Sequence, residues 1–299
     1  MNTRDLKYLV ALNDHHHFGK AAEACFVSQP ALSMQIKKLE ETLGVKLLER
    51  TNKSVLLTNI GLVITAQARR ILQQIEEMHD FAKLAKDPYS GEFKIGIIPT
   101  VAPYLLPLII PSLAKKFPKI SFYLVEEPTA ILIEKLKLGK LDAAILALPV
   151  DEASFATSLL FEEEFLLAVP NTHPLKNRKV IKPTDLDNQN VLLLEEGHCM
   201  RQPTLTLCHK MNAVETQNFR ATSIETLRHM VAAGNGVTLM PKLAYQLNDG
   251  ISYIPFGSPK PVRSIGLYWR LSTVKKALLE ELAIQMKQII AKQKTVKIC

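Results

Sequence analysis

Proline divides this chain into two parts built on different rules. Residues 1 to 87 contain one proline, Pro30, and three glycines, whereas proline recurs often from Pro88 onward. Proline removes a helical hydrogen bond and punctuates regular structure, so the first part is free to be helical and the second is cut into shorter elements. In the first part apolar residues fall at helical spacing in three short runs: Leu6, Leu9 and Val10; Ala21, Ala22 and Cys25; Leu32, Ile36, Leu39 and Leu43. A fourth run, capped by Thr58 or Asn59, passes through Val63, Ala66, Ile71, Leu72, Ile75, Met78 and Phe81 to about Ala85. Roughly 27 residues at 1.5 Å each make a rod of about 40 Å, which needs a partner helix.

Beyond Pro88 short apolar strands alternate with helices. The pattern predicts strands near Phe93–Ile98, Ser121–Val125, Ala143–Ala147, Phe165–Val169, Val191–Leu194, Val237–Met240 and Ile265–Trp269. Helices are expected at Tyr104–Phe117, Ala130–Leu138, Ile224–Ala233 and Val274–Lys292. Such alternation argues for parallel or mixed sheets covered on both faces. The full 299 residues exceed one ordinary core of roughly 100 to 200, and the last roughly 210 suit two α/β lobes.

Composition narrows the classes of function. With 47% hydrophobic and 22% charged residues the chain is globular, neither disordered nor fibrous. Its longest charge-free run, Ile95–Ala114, is interrupted by Pro99, Pro103, Pro107 and Pro111, so no transmembrane helix is expected. The start, MNTRDLKYLV, lacks the apolar core of a secretory signal, and the expected place is the cytoplasm with no membrane partner. Cysteines at 25, 199, 208 and 299 are too few and scattered to staple a secreted fold, so any disulfide would be reversible. The net charge is +8, yet residues 1 to 87 hold 12 basic against 10 acidic side chains and residues 88 to 299 hold 25 against 19. Net charge alone therefore does not locate a nucleic-acid site. Adjacent His15, His16 and His17 cannot converge on one ion from a helix; they are read as helix surface, and no metal or cofactor is expected.

The segment Gly19–Gly44 implies two helices joined by Phe26, Val27 and Ser28, with Ser28 a good N-cap and Pro30 tolerated in the first turn that follows. Leu32, Ile36 and Leu39 share one face of the second helix, which turns Gln29, Pro30, Ser33, Met34 and Lys37 outward. Gln29, Ser28 and Ser33 can hydrogen-bond base edges, Pro30 and Met34 can touch a thymine methyl, and Lys37, Lys38, Arg50 and Lys53 can neutralise phosphates. Periodicity alone leaves the blander alternative open, an amphipathic helix pair with no ligand. The string AAEACFVSQPALSMQIKKLEETLGVKLLER resembles the N-terminal winged helix-turn-helix of the LysR-type transcriptional regulators, departing at Cys25, where leucine is usual, and at Leu48, where phenylalanine is. VAAGNGVTLMP, Val231–Pro241, resembles a second family signature; the alternative of a phosphate loop at Gly234 and Gly236 fails, because they follow a helix and precede a strand. The resemblance implies an all-α DNA-binding domain with a small wing over residues 1–57, in which Val55–Thr58 forms the wing's return. A linker and dimerisation helix would follow over 58–87, then a two-lobed α/β regulatory domain resembling periplasmic binding proteins over 88–299. Lobe I would take about 88–161 and 268–299, and lobe II about 162–267.

Cys199 and Cys208 are nine residues apart, which on one helix means about 13.5 Å and opposite faces, whereas a disulfide needs Cα atoms within about 7 Å. An extended segment also exceeds bridging distance, so oxidation would have to refold it. Gly197, His198 and Arg201 around Cys199 favour a thiolate. Two ordinary buried cysteines remain the plainer alternative. A zinc site from His198, Cys199, Cys208 and His209 lacks the usual paired spacing. Gly-His-Cys with a second cysteine nine residues on resembles the hydrogen-peroxide-sensing activators of the same family, as do IPTVAPYLLP at Ile98–Pro107 and LDAAILALP at Leu141–Pro149. That resemblance implies that Cys199 is the peroxidatic thiol and Cys208 the resolving one. Thr100 and Thr129 would position peroxide beside His198, and Arg263 would be an activating cation; helix N-capping is the alternative for both threonines. It further implies a double-stranded operator, a homodimer or homotetramer, RNA polymerase as a partner, a thioredoxin or glutaredoxin system as reductant, and no enzymatic turnover. A metabolite bound in the cleft between the lobes is the alternative effector, and a thiol peroxidase that happens to bind DNA is the alternative of another class. Cys25 and Cys299 receive no role.

Overall fold

The computed structural model describes all residues except 51–54, 85–86, 88, 151, 188, 196–213 and 293–299. The chain forms two compact units, Met1–Lys86 and Asp87–Cys299.

In the first unit, helices α1 (Thr3–His15), α2 (Phe18–Ala24) and α3 (Gln29–Leu43) precede an antiparallel hairpin of β1 (Leu48–Arg50) and β2 (Val55–Leu57), then the long α4 (Asn59–Leu84). The Asn2 side chain accepts the N–H groups of Arg4 and Asp5, and the Asp5 carboxylate accepts the Asn2 N–H, so α1 starts with a reciprocal cap. Leu9 and Leu12 of α1, Ala21 and Ala22 of α2, and Leu32, Ile36 and Leu39 of α3 meet in one core with Leu47. Glu40 is buried beneath it without an ionic penalty left open, because its Oε1 accepts the Leu47 N–H at 2.8 Å and the Leu48 N–H at 3.2 Å. That carboxylate ties the hairpin to α3. Thr58 caps α4, accepting the Gly61 N–H at 3.0 Å and donating to the Lys46 carbonyl at 2.8 Å. Gly61 is required there, since a Cβ would stand 2.1 Å from the Leu47 carbonyl oxygen.

The histidine triplet is not the helix face expected of it. His15 ends α1, His16 adopts a left-handed φ of 48°, and His17 caps α2 by accepting the Gly19 and Lys20 N–H groups at Nδ1. A corner between two helices needs one residue to leave helical geometry and another to satisfy the new N-terminus, and the triplet does both.

The second unit runs β3 (Gly91–Ile97), α5 (Ala102–Lys116), β4 (Ile120–Glu126), α6 (Thr129–Lys137), β5 (Ala143–Ala147), β6 (Phe155–Pro170), β7 (Asn190–Leu194), β8 (Val214–Ala221), α7 (Ile224–Ala232), β9 (Thr238–Pro241), β10 (Ile251–Pro255), β11 (Val262–Arg270) and α8 (Lys276–Ala291). The main sheet has the order β10-β6-β11-β5-β3-β4, with β9 also on β6, and β3 runs parallel to both β4 and β5. β7 and β8 form a second, parallel pair. β6 is the joint of the unit: Phe155–Glu164 pairs with β11, and Phe165–Pro170 pairs with β9 and β10. Two cores lie on either side of that change of partner. One gathers Phe93, Ile95, Leu105, Ile109, Ile145 and Leu279, the other Phe165, Leu167, Val191, Leu193, Leu227 and Leu239. All four expected helices of this unit are present, and β8 and β10 are strands the sequence pattern did not predict. β6 begins at Phe155, not Phe165, because Glu162, Glu163 and Glu164 interrupt its apolar run and read as solvated charge. In the strand they alternate, and Glu163 points inward.

Candidate functional site

The expected DNA-reading residues sit at the start of α3. Ser28 caps the helix, its Oγ accepting the Ala31 N–H at 3.4 Å, and Pro30 lies in the first turn. Ser28, Gln29, Pro30, Met34 and Lys37 are exposed and Ser33 is half-buried, while Leu32, Ile36 and Leu39 are turned into the core. Lys37 pairs with Glu41 one turn on, at 3.9 Å. Arg50 ends β1; its side chain, and Lys53 as a whole, lie outside the described residues. Phe26, in the turn before α3, is 95% exposed at a left-handed φ of 56°. Cys25 closes α2 half-buried, and burial pushes its thiol up from the ordinary value against the opposing pull of Lys7, so it carries less thiolate than an ordinary cysteine.

The expected effector residues divide in two. Cys199, Cys208, His198 and the intervening Pro203 lie outside the described residues, as does Cys299. Thr100, Thr129 and Arg263 are described. Thr100 follows β3 and Thr129 follows β4, the neighbouring parallel strand. The chain leaves β3 toward β4 on one side and returns to β5 on the other, and the carboxyl ends at such a reversal are where open α/β sheets bind ligands. Neither threonine caps a helix. α5 is preceded by Val101 and α6 by Pro128, neither with a side-chain cap. The Thr100 hydroxyl instead accepts from Arg263 Nη1 at 2.9 Å, and its carbonyl accepts from Nη2 at 3.1 Å. The Thr129 Oγ1 is buried and has no hydrogen-bond partner among the described residues.

Arg263 is only 6% exposed, a costly place for a cation unless it is paired. It stands opposite Glu163 in the β6–β11 ladder, and Glu163 Oε1 accepts from its Nε at 2.8 Å and from its Nη2 at 2.6 Å. The Phe165 ring lies 5.7 Å from the guanidinium carbon, close enough for a cation–π contact. A second buried arginine, Arg228 of α7, bonds to Glu225 at 3.0 Å and Asp249 at 2.7 Å, and also to Tyr253 and the Ala244 carbonyl. Burial opposes its charge, yet these partners and Tyr104 hold it protonated above the ordinary arginine value. Tyr104 of α5 donates to Glu225, and burial together with that bond pushes its hydroxyl well above the usual tyrosine range. Sequence reasoning missed Glu163, Tyr104 and Arg228; the only signal for Glu163 was an acidic triplet flanked by Phe161 and Phe165. Among the described residues no group of three or more His, Cys, Asp or Glu side chains could hold a metal ion.

Comparison with known proteins matches the same two parts. Residues 3–62 fit the model of the bacterial regulatory helix-turn-helix protein, lysR family, and residues 86–288 fit the LysR substrate binding domain. A hydrogen peroxide-inducible genes activator of Dickeya chrysanthemi is 46% identical over 291 residues, 96% of this chain and 95% of the relative. The structure of full-length OxyR C199D from Pseudomonas aeruginosa superposes with a TM-score of 0.76 at 39% identity, covering 96% of this chain and 95% of that one. A crystal structure of the oxidized form of OxyR aligns with a TM-score of 0.63 at 44% identity, covering 69% of this chain and 99% of that one. Helix-turn-helix, hairpin, switch-point sheet and full-length likeness all converge: this chain belongs to the LysR family of bacterial helix-turn-helix regulators.

Proposed function

We propose that the protein is a DNA-binding transcriptional regulator that senses hydrogen peroxide through a reversible Cys199–Cys208 disulfide and controls antioxidant genes. The observation that carries this reading is identity of 46% along 96% of the chain to a hydrogen peroxide-inducible genes activator. The pairing of Arg263 with Thr100 at the carboxyl end of β3 supports it, because it gathers a fixed cation and a hydroxyl where such sheets bind ligands. In the proposed chemistry the Cys199 thiolate sulfur attacks one peroxide oxygen, the O–O bond breaks, and hydroxide leaves to take up a proton as water. The sulfur, oxidised by two electrons, becomes a sulfenic acid. The Cys208 sulfur then attacks it, forming S–S and releasing a second water. A dithiol reductant of the thioredoxin or glutaredoxin type restores both thiols by exchange and is itself oxidised to a disulfide. Arg263 and the Thr100 and Thr129 hydroxyls would orient peroxide, with His198 beside the thiol.

On the DNA side, Ser28, Gln29, Pro30, Ser33 and Met34 would meet base edges while Lys37, Arg50 and Lys53 meet phosphates. Paired subunits would read a partly palindromic operator, with RNA polymerase as the downstream partner. Among the described residues no helix is long and apolar enough to cross a membrane, and the proposed place of action is the cytoplasm.

A tryptic map tests the switch. Purified protein receives about one equivalent of peroxide, the remaining thiols are blocked, and digestion proceeds without reductant. Trypsin cuts after Arg201 and Lys210, which separates the two cysteines. The expected result is a peptide ending at Arg201 linked through sulfur to Gln202–Lys210. Both peptides emerging alkylated while peroxide persists would overturn the reading. The match of residues 86–288 to a substrate binding domain favours a second one, a small metabolite held between the lobes. A ligand that raises thermal stability saturably with all thiols blocked would support it.

A further inference from the structure

Glu163 is the one member of its acidic triplet that faces inward, and its side chain is 0% exposed. Its neighbours are occupied elsewhere. Glu164 pairs with Lys260 at 2.8 Å and Lys242 at 3.8 Å, and Glu162 accepts from the Ser264 hydroxyl at 3.1 Å. Both Glu163 oxygens are engaged as acceptors: Oε1 takes Nε and Nη2 of Arg263, and Oε2 takes the backbone N–H of Leu243 at 3.0 Å. Leu243 lies in the turn after β9, Glu163 and Arg263 on the paired strands β6 and β11, and Thr100 just after β3. One unbroken line of hydrogen bonds therefore runs from Leu243 through Glu163 and Arg263 to Thr100.

A guanidinium is a planar fork, so fixing one edge aims the other. With Nε and Nη2 held on a single carboxylate oxygen, Nη1 is directed at the Thr100 hydroxyl. Strand backbone alone does not aim an arginine, whose long side chain has several rotatable bonds. From this geometry we infer that Glu163 is a positioning residue, which holds the Arg263 guanidinium on Thr100 and acts on the sensing chemistry only through that arginine. The inference rests on the peroxide-sensing reading above. Glutamine cannot replace Glu163 here, because one of its two terminal atoms is a donor and both glutamate oxygens face donors.

The test measures the rate of Cys199 oxidation by hydrogen peroxide against pH in the full-length reduced protein, for the wild type, Glu163→Gln, Arg263→Gln and the double variant. Circular dichroism verifies that each is folded. A misaimed cation stabilises the thiolate less, so Glu163→Gln is expected to raise the pH midpoint by about one unit and slow the reaction at neutral pH about tenfold. In the Arg263→Gln background the same change is expected to alter the rate by less than about twofold. Glu163→Asp keeps the charge but draws it back, and an effect between wild type and glutamine is expected; it carries the test if Glu163→Gln does not fold. An unchanged midpoint overturns the inference, as does an equal slowing in both backgrounds, which would mark a structural role. A midpoint that moves down also overturns it, since Glu163 would then damp the arginine's field without aiming it. If wild-type Cys199 does not react with peroxide, the sensor reading itself falls; if it reacts and Glu163→Gln matches it, only the positioning role does.

Discussion

His17 shows how one side chain sets the geometry of the DNA-reading unit. Its Nδ1 accepts two of the N–H groups that open α2, the helix that seats α3. Losing an N-cap acceptor costs about 1 kcal/mol, so His17→Ala should lower the melting temperature of the N-terminal unit while His17→Asn stays near wild type. Thermal denaturation followed by circular dichroism separates the two. Gly236 is a second single-residue constraint. Its φ is 151°, and a Cβ there would stand 2.6 Å from the Asn190 carbonyl oxygen at the start of β7. Gly236→Ala must push backbone apart, and a loss of about 1–3 kcal/mol in chemical denaturation is expected. The family signature at Val231–Pro241 thus has a packing reason, consistent with rejecting a phosphate loop there. At this scale the sequence was legible wherever a residue's role is local, as at the Ser28 and Thr58 caps. Thr100 and Arg263 were named separately through the family resemblance, but the bond between them was not legible, because a strand 163 positions away brings the arginine to the threonine.

Between elements, α5 and α7 are joined by the Tyr104–Glu225 bond. Tyr104→Phe removes the hydroxyl but leaves Glu225 on Arg228, so a loss of only about 1 kcal/mol is expected, read as a lowered denaturant midpoint. The β6–β11 ladder, where Glu164 stands opposite Val262, gives a pH-dependent counterpart. Lys260 beside Glu164 holds that carboxyl below the usual glutamate value, against a smaller opposing effect of burial. A lowered carboxylate value means stability is present above the unfolded value and lost as pH falls through the folded one. The melting-temperature gap between wild type and Glu164→Gln should therefore be open at neutral pH and close in the acid range below the ordinary glutamate value. Equal gaps at both pH values would contradict this. Helices and buried strands of this unit were visible as periodicity because each carries its own apolar pattern. The first half of β6 was not, because Glu162, Glu163 and Glu164 mimic a solvated run, and the burial of Glu163 depends on an arginine distant in sequence.

At the scale of the whole molecule, α4 carries a face that its own unit does not cover. Thr65 and Ala68 are buried, and Arg69 reaches Asp14 of α1, which fixes the side turned inward. At 100° per residue, Ile60, Ile71 and Met78 fall within about 20° of one another, turned about 60–80° from Ala68 and about 120–180° from Thr65 and Arg69, with Val63 about 60–80° further from that side. All four are exposed, Met78 by 63%. An apolar stripe along a 26-residue helix matches what a second copy of the same helix would bury, in the manner of a two-helix seam. If that stripe joins subunits, a charge within it must be desolvated on association, whereas a charge elsewhere on the helix stays in water. Ile71→Glu and Met78→Glu are therefore expected to shift the protein toward monomer in sedimentation velocity and to weaken operator binding at least about tenfold, because two linked half-site contacts become two separate ones. Ala66→Glu places the same charge on an exposed residue about 120–140° from the stripe and clear of Thr65 and Ala68, and should leave both measurements near wild type. Dissociation by all three variants alike would show that α4 tolerates no charge anywhere along its length, and the seam would have to be sought on another element.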